Sequence, residues 1–266
     1  MLTLIPGALV VGIVMGLLGS GGSAISVPLL VYVIGHGAKV SIAESMAIVG
    51  LIAFFAAIPY SMARQVDWPS VVFFGIPGML GTFLGAILGG LASDALQLTV
   101  FGVVILLAAV FMIRKAFVLK VQTGCPMEAM KAKAESFNLF SRLKMITEGL
   151  LVGVLTGFVG VGGGFLIVPA LMVLAKLPIR IAIGTSLVII AAKSLVGFLK
   201  YQRVLQDDGL AVDWPTILVF SIVGILASNL GSRVNAKLNH RLLNQIFAVF
   251  LVLIGLYVIV REISGI

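Results

Sequence analysis

The chain has 266 residues, 61% of them hydrophobic and only 11% charged, with a mean hydropathy of +1.22. That much apolar surface excludes a soluble globular domain, so the net charge of +8 is read as basic loops flanking a membrane, not as a nucleic-acid footprint. A single cysteine, Cys125, excludes an internal disulfide, and two histidines, His36 and His240, leave little for a metal centre.

The first predicted segment covers 6–34 and contains "GLLGSGGSAISVPLL" at 16–30. Glycine and proline are the worst residues for a helix interior, so the run marks a break. The apolar pieces on either side, 6–18 and 23–34, are each too short to cross about 30 Å of hydrocarbon at about 1.5 Å per residue. Either one broken helix crosses the membrane, or two half-helices dip in and return. A cleaved signal peptide is not expected, because Met1 to Ala8 carries no Lys or Arg and the same pattern returns inside the chain. Further segments follow near 41–63, 70–91 and 95–118. A polar, basic stretch at 119–146, holding Cys125, is expected to be a cytoplasmic linker. Four more segments lie near 147–174, 181–201, 215–232 and 242–260.

The second set repeats the first. "GFVGVGGGFLIVPAL" at 157–171 aligns with 16–30 at an offset of 141, which also pairs Ile42 with Ile183, Ser45 with Ser186 and Tyr60 with Tyr201. "DWP" at 67–69 returns at 213–215, and the new offset of 146 pairs Gly78 with Gly224 and Gly85 with Gly231. The expected fold is an all-α polytopic membrane protein of two homologous four-segment halves, 1–118 and 147–266. Gly/Pro-interrupted segments at matching places in two halves point to the binding site of a secondary transporter, expected near the midplane between the two segments. Spaced glycines such as Gly81 and Gly85 are explained by close helix packing alone.

Loop charge weighs the two arrangements. If all eight segments cross, eleven Lys/Arg lie on the linker side and six opposite. If 6–34 and 147–174 are re-entrant hairpins, the halves are inverted. Lys176, Arg180, Arg233, Lys237 and Arg241 then join the linker side while Lys200, Arg203 and Arg261 leave it, giving thirteen against four. The positive-inside rule favours the inverted repeat.

The paired segments ending in "VPLL" and "VPAL", followed by "SIAESMAIV" and "IAIGTSLVI", resemble the TauE/SafE family of sulfite exporters. The doubled GxGGxxxxxP pattern carries the resemblance over nearly the whole chain outside the linker. It implies a membrane transporter in a bacterial-type inner membrane whose substrate is sulfite, a sulfonate or a related sulfur-containing anion. The two copies differ: Ser20 and Ser23 stand where the second has Val161 and Gly164.

A small oxyanion inside a membrane needs donors and positive potential, which broken-helix N-termini supply. Glycine lets the backbone approach without a Cβ in the way. The expected substrate-binding residues are therefore Gly19, Ser20, Gly21, Gly22 and Ser23 in the first copy, with Ser26 as a further hydroxyl, and Gly160, Gly162, Gly163 and Gly164 in the second. Lys193, in "IIAAKSLVG", lies near the middle of its segment, roughly 12 Å from either end. Its stem reaches only about half that distance, so it is expected to face the bundle interior as counter-charge for the anion. An ion pair with Glu44 is the competing expectation. The matching position is Ile52. Glu44 is either a coupling carboxylate or a solvated helix-start acid. Ser45 and Ser186 are pore hydroxyls or merely bond back to their own helices. Arg233, one turn after Asn229, reads as an interfacial anchor. Tyr60, Tyr201, Trp68 and Trp214 sit near segment ends, where an aromatic belt is expected.

Nothing points to an enzyme or a cofactor: "GSGGS" lacks the ending of a nucleotide-binding loop, and no metal-ligand spacing occurs. Any energy source in this chain is an ion gradient or the anion's own gradient. The expected partners are a small anion and the lipid bilayer, with a homodimer as a further option. A passive anion channel or a non-transporting membrane partner protein is the alternative function.

Overall fold

The structure is a computed structural model that describes residues 4–18, 22–118, 139–161, 164–175, 177–235 and 240–264. Among these residues the secondary structure is all helical. The first half contributes α1 (Leu4–Leu18), α2 (Ser23–Ile34), α3 (Ala38–Met62), α4 (Trp68–Leu91) and α5 (Asp94–Val118). The second contributes α6 (Leu139–Val159), α7 (Gly164–Leu174), α8 (Ile179–Asp207), α9 (Trp214–Asn235) and α10 (His240–Ser264). Within each segment expected at 6–34 and 147–174 two helices are described, on either side of residues 19–21 and 162–163, which lie outside the described residues. α6 begins at Leu139, so the helix reaches back into the stretch read as linker. Four helices among the described residues, α3, α4, α8 and α9, are long and apolar enough to cross a membrane.

Local sequence sets the ends. Asp67 caps α4, its carboxylate accepting from Ser70 N at 3.1 Å and from the Ser70 hydroxyl, and Pro69 sits in the first turn, where its missing N–H is no loss. Asp213 holds the same place before α9 and accepts from Thr216 Oγ1 at 2.6 Å. Beyond Pro28, α2 widens into a π-helical turn over Leu29–Ile34 and stops at Gly35, whose φ is 87°.

Packing follows one rule in both halves. α1 packs chiefly on α9, and α6 on α4; α3 packs on α8, and α5 on α10. Exchanging the halves leaves this pattern unchanged. Small residues allow the closest approaches. A Cβ on Gly12 would lie 2.7 Å from the Ala227 Cβ, and one on Gly153 would lie 3.0 Å from the Gly78 Cα. Further along the same pairs, Gly16 meets Ser228 and Gly157 meets Thr82. Residue numbers rise together in each pair, so these helices run parallel. Such glycine-lined contacts are how apolar helices associate where lipid competes for their side chains. Gly81 and Gly85 face Val154 and Phe158 in this seam, as close packing alone predicts.

Other pairs fix the remaining directions. Gly50 meets Ser194 and Gly197 meets Met46, so α3 and α8 run antiparallel. α3 runs parallel to α9, through Glu44 on Asp213 and Ile52 on Gly224. α8 runs parallel to α4, through Thr185 on Asp67 and Lys193 on Gly78. Within the first segment, Gly7 meets Leu29 and Gly22 meets Met15, so α2 returns along α1. Outward faces are apolar in matching register: Val72, Ile76, Leu80 and Leu84 on α4, and Leu218, Ile222, Leu226 and Leu230 on α9, are all exposed.

Candidate functional site

Gly19, Ser20 and Gly21 at the first break, and Gly162 and Gly163 at the second, lie outside the described residues. Gly22, Ser23 and Ser26 are buried. Ser26 Oγ lies 2.6 Å from Ser45 Oγ and donates to Ser23 O at 2.8 Å, tying α2 to α3. Ser186, the repeat mate of Ser45, does not reach across; it donates to Ile183 O within its own helix at 2.8 Å. The cause lies across the gap, where Ile167 stands in the second copy at the position of Ser26. Gly160 adopts a left-handed φ of 78°, and a Cβ there would lie 2.8 Å from the Ile42 Cβ, so the site demands glycine twice over. Gly164 opens α7 and is buried.

The residues flanking the two breaks do not meet at one level. Gly16 and Leu17 pack against Gly231, near the end of α9. Phe158 packs against Gly85 and Gly89, near the end of α4. Because α4 and α9 run in opposite directions, the two breaks lie toward opposite ends of the bundle.

Lys193 lies between these levels, 1% exposed. Its stem runs past Gly78, where a Cβ would lie 3.2 Å from the lysine Cδ, and its Nζ donates to Thr156 Oγ1 at 2.9 Å. Thr156 donates onward to Gly153 O at 3.1 Å. The carbonyl of Thr156 receives the N–H of Gly160 at 2.9 Å, so the ammonium is fixed one turn before the second break. The expected ion pair with Glu44 does not form. Glu44 is fully buried elsewhere, its Oε1 accepting from Asp213 N at 2.8 Å and its Oε2 lying 2.7 Å from His36 Nδ1. It is therefore no solvated helix-start acid. Thr185 makes the equivalent tie, its Oγ1 accepting from Asp67 N at 2.9 Å, so Glu44 and Thr185 stitch helix pairs in the two halves. Among the described residues, no carboxylate pairs with Lys193. A buried ammonium with a neutral hydroxyl partner is costly, and the cost falls when an anion arrives.

Two further groups complete the surroundings. Tyr201 is fully buried, which removes it from the expected aromatic belt; Trp68 and Trp214 are exposed at the starts of α4 and α9, as a belt requires. Tyr201 Oη donates to Phe158 O at 3.0 Å and accepts from Gln97 Nε2 at 2.9 Å, and Gln97 Nε2 also reaches Phe158 O at 3.0 Å. They cap a carbonyl that the end of α6 leaves free. The second feature is a small cleft lined by residues including Met15, Gly16, Tyr60, Ser228, Asn229 and Ser232, beside the first break. The side chain of Arg233 lies outside the described residues. Sequence reading missed Thr156, Gln97 and His36. Each is an isolated polar residue on an apolar helix or turn, and only the fold reveals its partner.

Bilayer-length apolar helices, apolar outward faces and a charge held inside define an integral membrane protein. The chain belongs to the Sulfite exporter TauE/SafE family, whose profile matches residues 4–258. It is 34% identical over 257 residues to a probable membrane transporter protein of Xylella fastidiosa strain Temecula1, an alignment covering 95% of this chain and 92% of that one. A probable membrane transporter protein of Methanocaldococcus jannaschii is 24% identical over 272 residues, covering 97% and 96%. YunE of Bacillus subtilis, likewise a probable membrane transporter protein, is 26% identical over 258 residues, covering 93% of each chain. No solved structure matches the chain at a significant level.

Proposed function

We propose that this membrane transporter is a secondary transporter, working as an exporter, of a small sulfur-containing oxyanion such as sulfite or a sulfonate, in a bacterial-type plasma membrane. The observation that carries the reading is the Lys193 ammonium, buried with a neutral hydroxyl partner one turn from a glycine break. An oxyanion there would meet the Lys193 Nζ and the Thr156 hydroxyl, one turn from the break. Gly160 and Gly164, on either side of the break, are the described members of the proposed binding set in the second copy. At the other break, the buried Gly22 and Ser23 are the described members of the proposed binding set in the first copy. The buried Ser26–Ser45 pair and Ser186 complete the set. The Glu44–His36 contact is the coupling candidate, since a carboxylate and an imidazole together can take up a proton.

The same reading makes the chain a multi-pass inverted repeat. α1 and α3 run in one direction with α2 returning between them, and α6 and α8 both run in the other. The 15 residues of α1 reach about 22 Å, short of about 30 Å of hydrocarbon. α1–α2 is then a re-entrant hairpin, and α6–α7, whose 21-residue first helix reaches about 31 Å, is its proposed counterpart entering from the opposite face through the repeat, with six crossings around them. Thiol labelling tests this: Cys125 and a cysteine at Lys237 are expected on one, cytoplasmic, side, and labelling from opposite sides would restore eight crossings.

Flux into proteoliposomes tests the substrate. Sulfite or a sulfonate is expected to move at a saturable rate and to compete with other sulfur oxyanions. Equal flux of chloride and phosphate without saturation would make the protein a passive channel.

A further inference from the structure

Lys193 sits on α8, and the hydroxyl it bonds sits on α6. α8 packs on α4, and α6 packs on the same helix. The lysine stem passes α4 at Gly78 before its Nζ arrives at Thr156. The glycine at that crossing is unlike those further along α4. A Cβ on Gly81 or Gly85 would press into the backbone of α6, at Leu150 and Val154. A Cβ on Gly78 would meet the lysine first, 3.2 Å from its Cδ and 3.6 Å from its Cε. The nearest backbone atom, Gly149 O, would lie at 3.4 Å, which is ordinary contact. Gly78 therefore makes room for the lysine stem more than for the helix seam.

The repeat supplies a comparison. Its offsets map Gly78 onto Gly224, Lys193 onto Ile52 and Gly149 onto Ala8. The same three places meet in the first half: a Cβ on Gly224 would lie 3.1 Å from Ile52 Cγ1 and 3.9 Å from Ala8 O. The side chain there is an isoleucine with no polar group to place. A glycine opposite this side chain is common to both halves, and only in the second does it bear on where a charge sits.

We propose that Gly78 is a positioning residue for the anion site: its missing Cβ lets the Lys193 stem pass α4 and set the ammonium on Thr156. The proposal rests on the reading of Lys193 as the anion's counter-charge. The far end of the stem is pinned by Thr156 at 2.9 Å, and the whole side chain is buried. A methyl on Gly78 pushes the stem at Cδ, and Cε and Nζ move with it. A preorganised site holds its groups to within about 0.5 Å. With the ammonium displaced, charge and hydroxyl no longer converge on one oxyanion.

The test is a mutant cycle on the purified protein, read by melting temperature in detergent. Thr156→Val is expected to lower the melting temperature while Lys193 is present, because it strands a buried ammonium, and to change it little in Lys193→Met. Gly78→Ala is expected to abolish that difference, since the ammonium has already left the hydroxyl. Gly224→Ala, which crowds Ile52 instead, is expected to keep it. Gly78→Ser, which also adds a Cβ, repeats the test independently. A purely structural role predicts that alanine at either glycine lowers stability and leaves the coupling between positions 193 and 156 intact; that result would overturn the proposal. So would loss of the coupling in both glycine variants, which marks general loosening.

Sulfite binding to the same proteins separates the proposal from the reading beneath it. Affinity is expected to fall by about fivefold in Gly78→Ala, as the displacement of one hydrogen bond implies, with no further fall when Gly78→Ala is added to Lys193→Met. Coupling lost in Gly78→Ala, beside a sulfite affinity that Lys193→Met leaves unchanged, would keep Gly78 as the positioner of the ammonium and refute the anion reading. Weaker sulfite binding in Lys193→Met, beside coupling intact in Gly78→Ala, would do the reverse.

Discussion

The two halves of this protein keep the same scaffold and differ in their chemistry. In the first, Ile52 lies against Gly224, and Met15 holds the place before the break. In the second, Lys193 lies against Gly78 and bonds Thr156, the residue that matches Met15. Glycine seams, helix directions and the Asp caps of α4 and α9 repeat; the charge does not. Repetition in this fold therefore marks what holds the helices together, and the proposed anion site lies at the place where the repeat departs from itself.

If that division is right, scaffold substitutions should act alike in the two halves. The largest effect is expected from Gly16→Leu and Gly157→Leu. A Cβ at Gly157 would already lie 2.7 Å from the Thr82 Cα, and one at Gly16 would lie 2.9 Å from the Ser228 carbonyl carbon. Each is expected to cost about 3 kcal/mol or more through overpacking against backbone, read by thermal unfolding in detergent. A severe loss in one half and a mild one in the other would break the equivalence.

A smaller effect is expected at the helix stitches. Thr185→Val removes the acceptor of Asp67 N–H and should destabilise by about 1–3 kcal/mol. Glu44→Gln keeps an acceptor for Asp213 N–H and should cost less, while lowering the pH sensitivity of flux if the carboxylate couples a proton. Equal stability losses with unaltered pH dependence would reduce Glu44 to a structural tie. The smallest effect is expected from Ile52→Met, at the first-half mate of Lys193. A near volume-conserving apolar change should cost less than about 1.5 kcal/mol and leave anion affinity unchanged.

Much of this was legible in the chain. The repeat, the two breaks and the central lysine are local patterns, because a bilayer forces long apolar runs and makes any interruption conspicuous. The partner of Lys193 was not legible. Thr156 lies 37 positions away on a helix whose facing is set by the glycine seam with α4. Glu44 was offered as that partner because opposite charges invite pairing, yet parallel packing of α3 and α9 brings it to Asp213 and His36 instead. The burial of Tyr201 was hidden for another reason: Tyr60 and Tyr201 hold matching places in the repeat near the ends of their segments, and the packing around each separates them.

The central claim is that the anion site lies where the repeat is broken by charge. Its most direct measurement is sulfite and sulfonate binding to purified Lys193→Met, beside the unaltered protein and Lys193→Arg. Affinity is expected to fall by about tenfold or more in Lys193→Met, as loss of a charge-assisted hydrogen bond implies, and to recover in part in Lys193→Arg. Unchanged affinity in a Lys193→Met protein that melts as the original does would contradict the account.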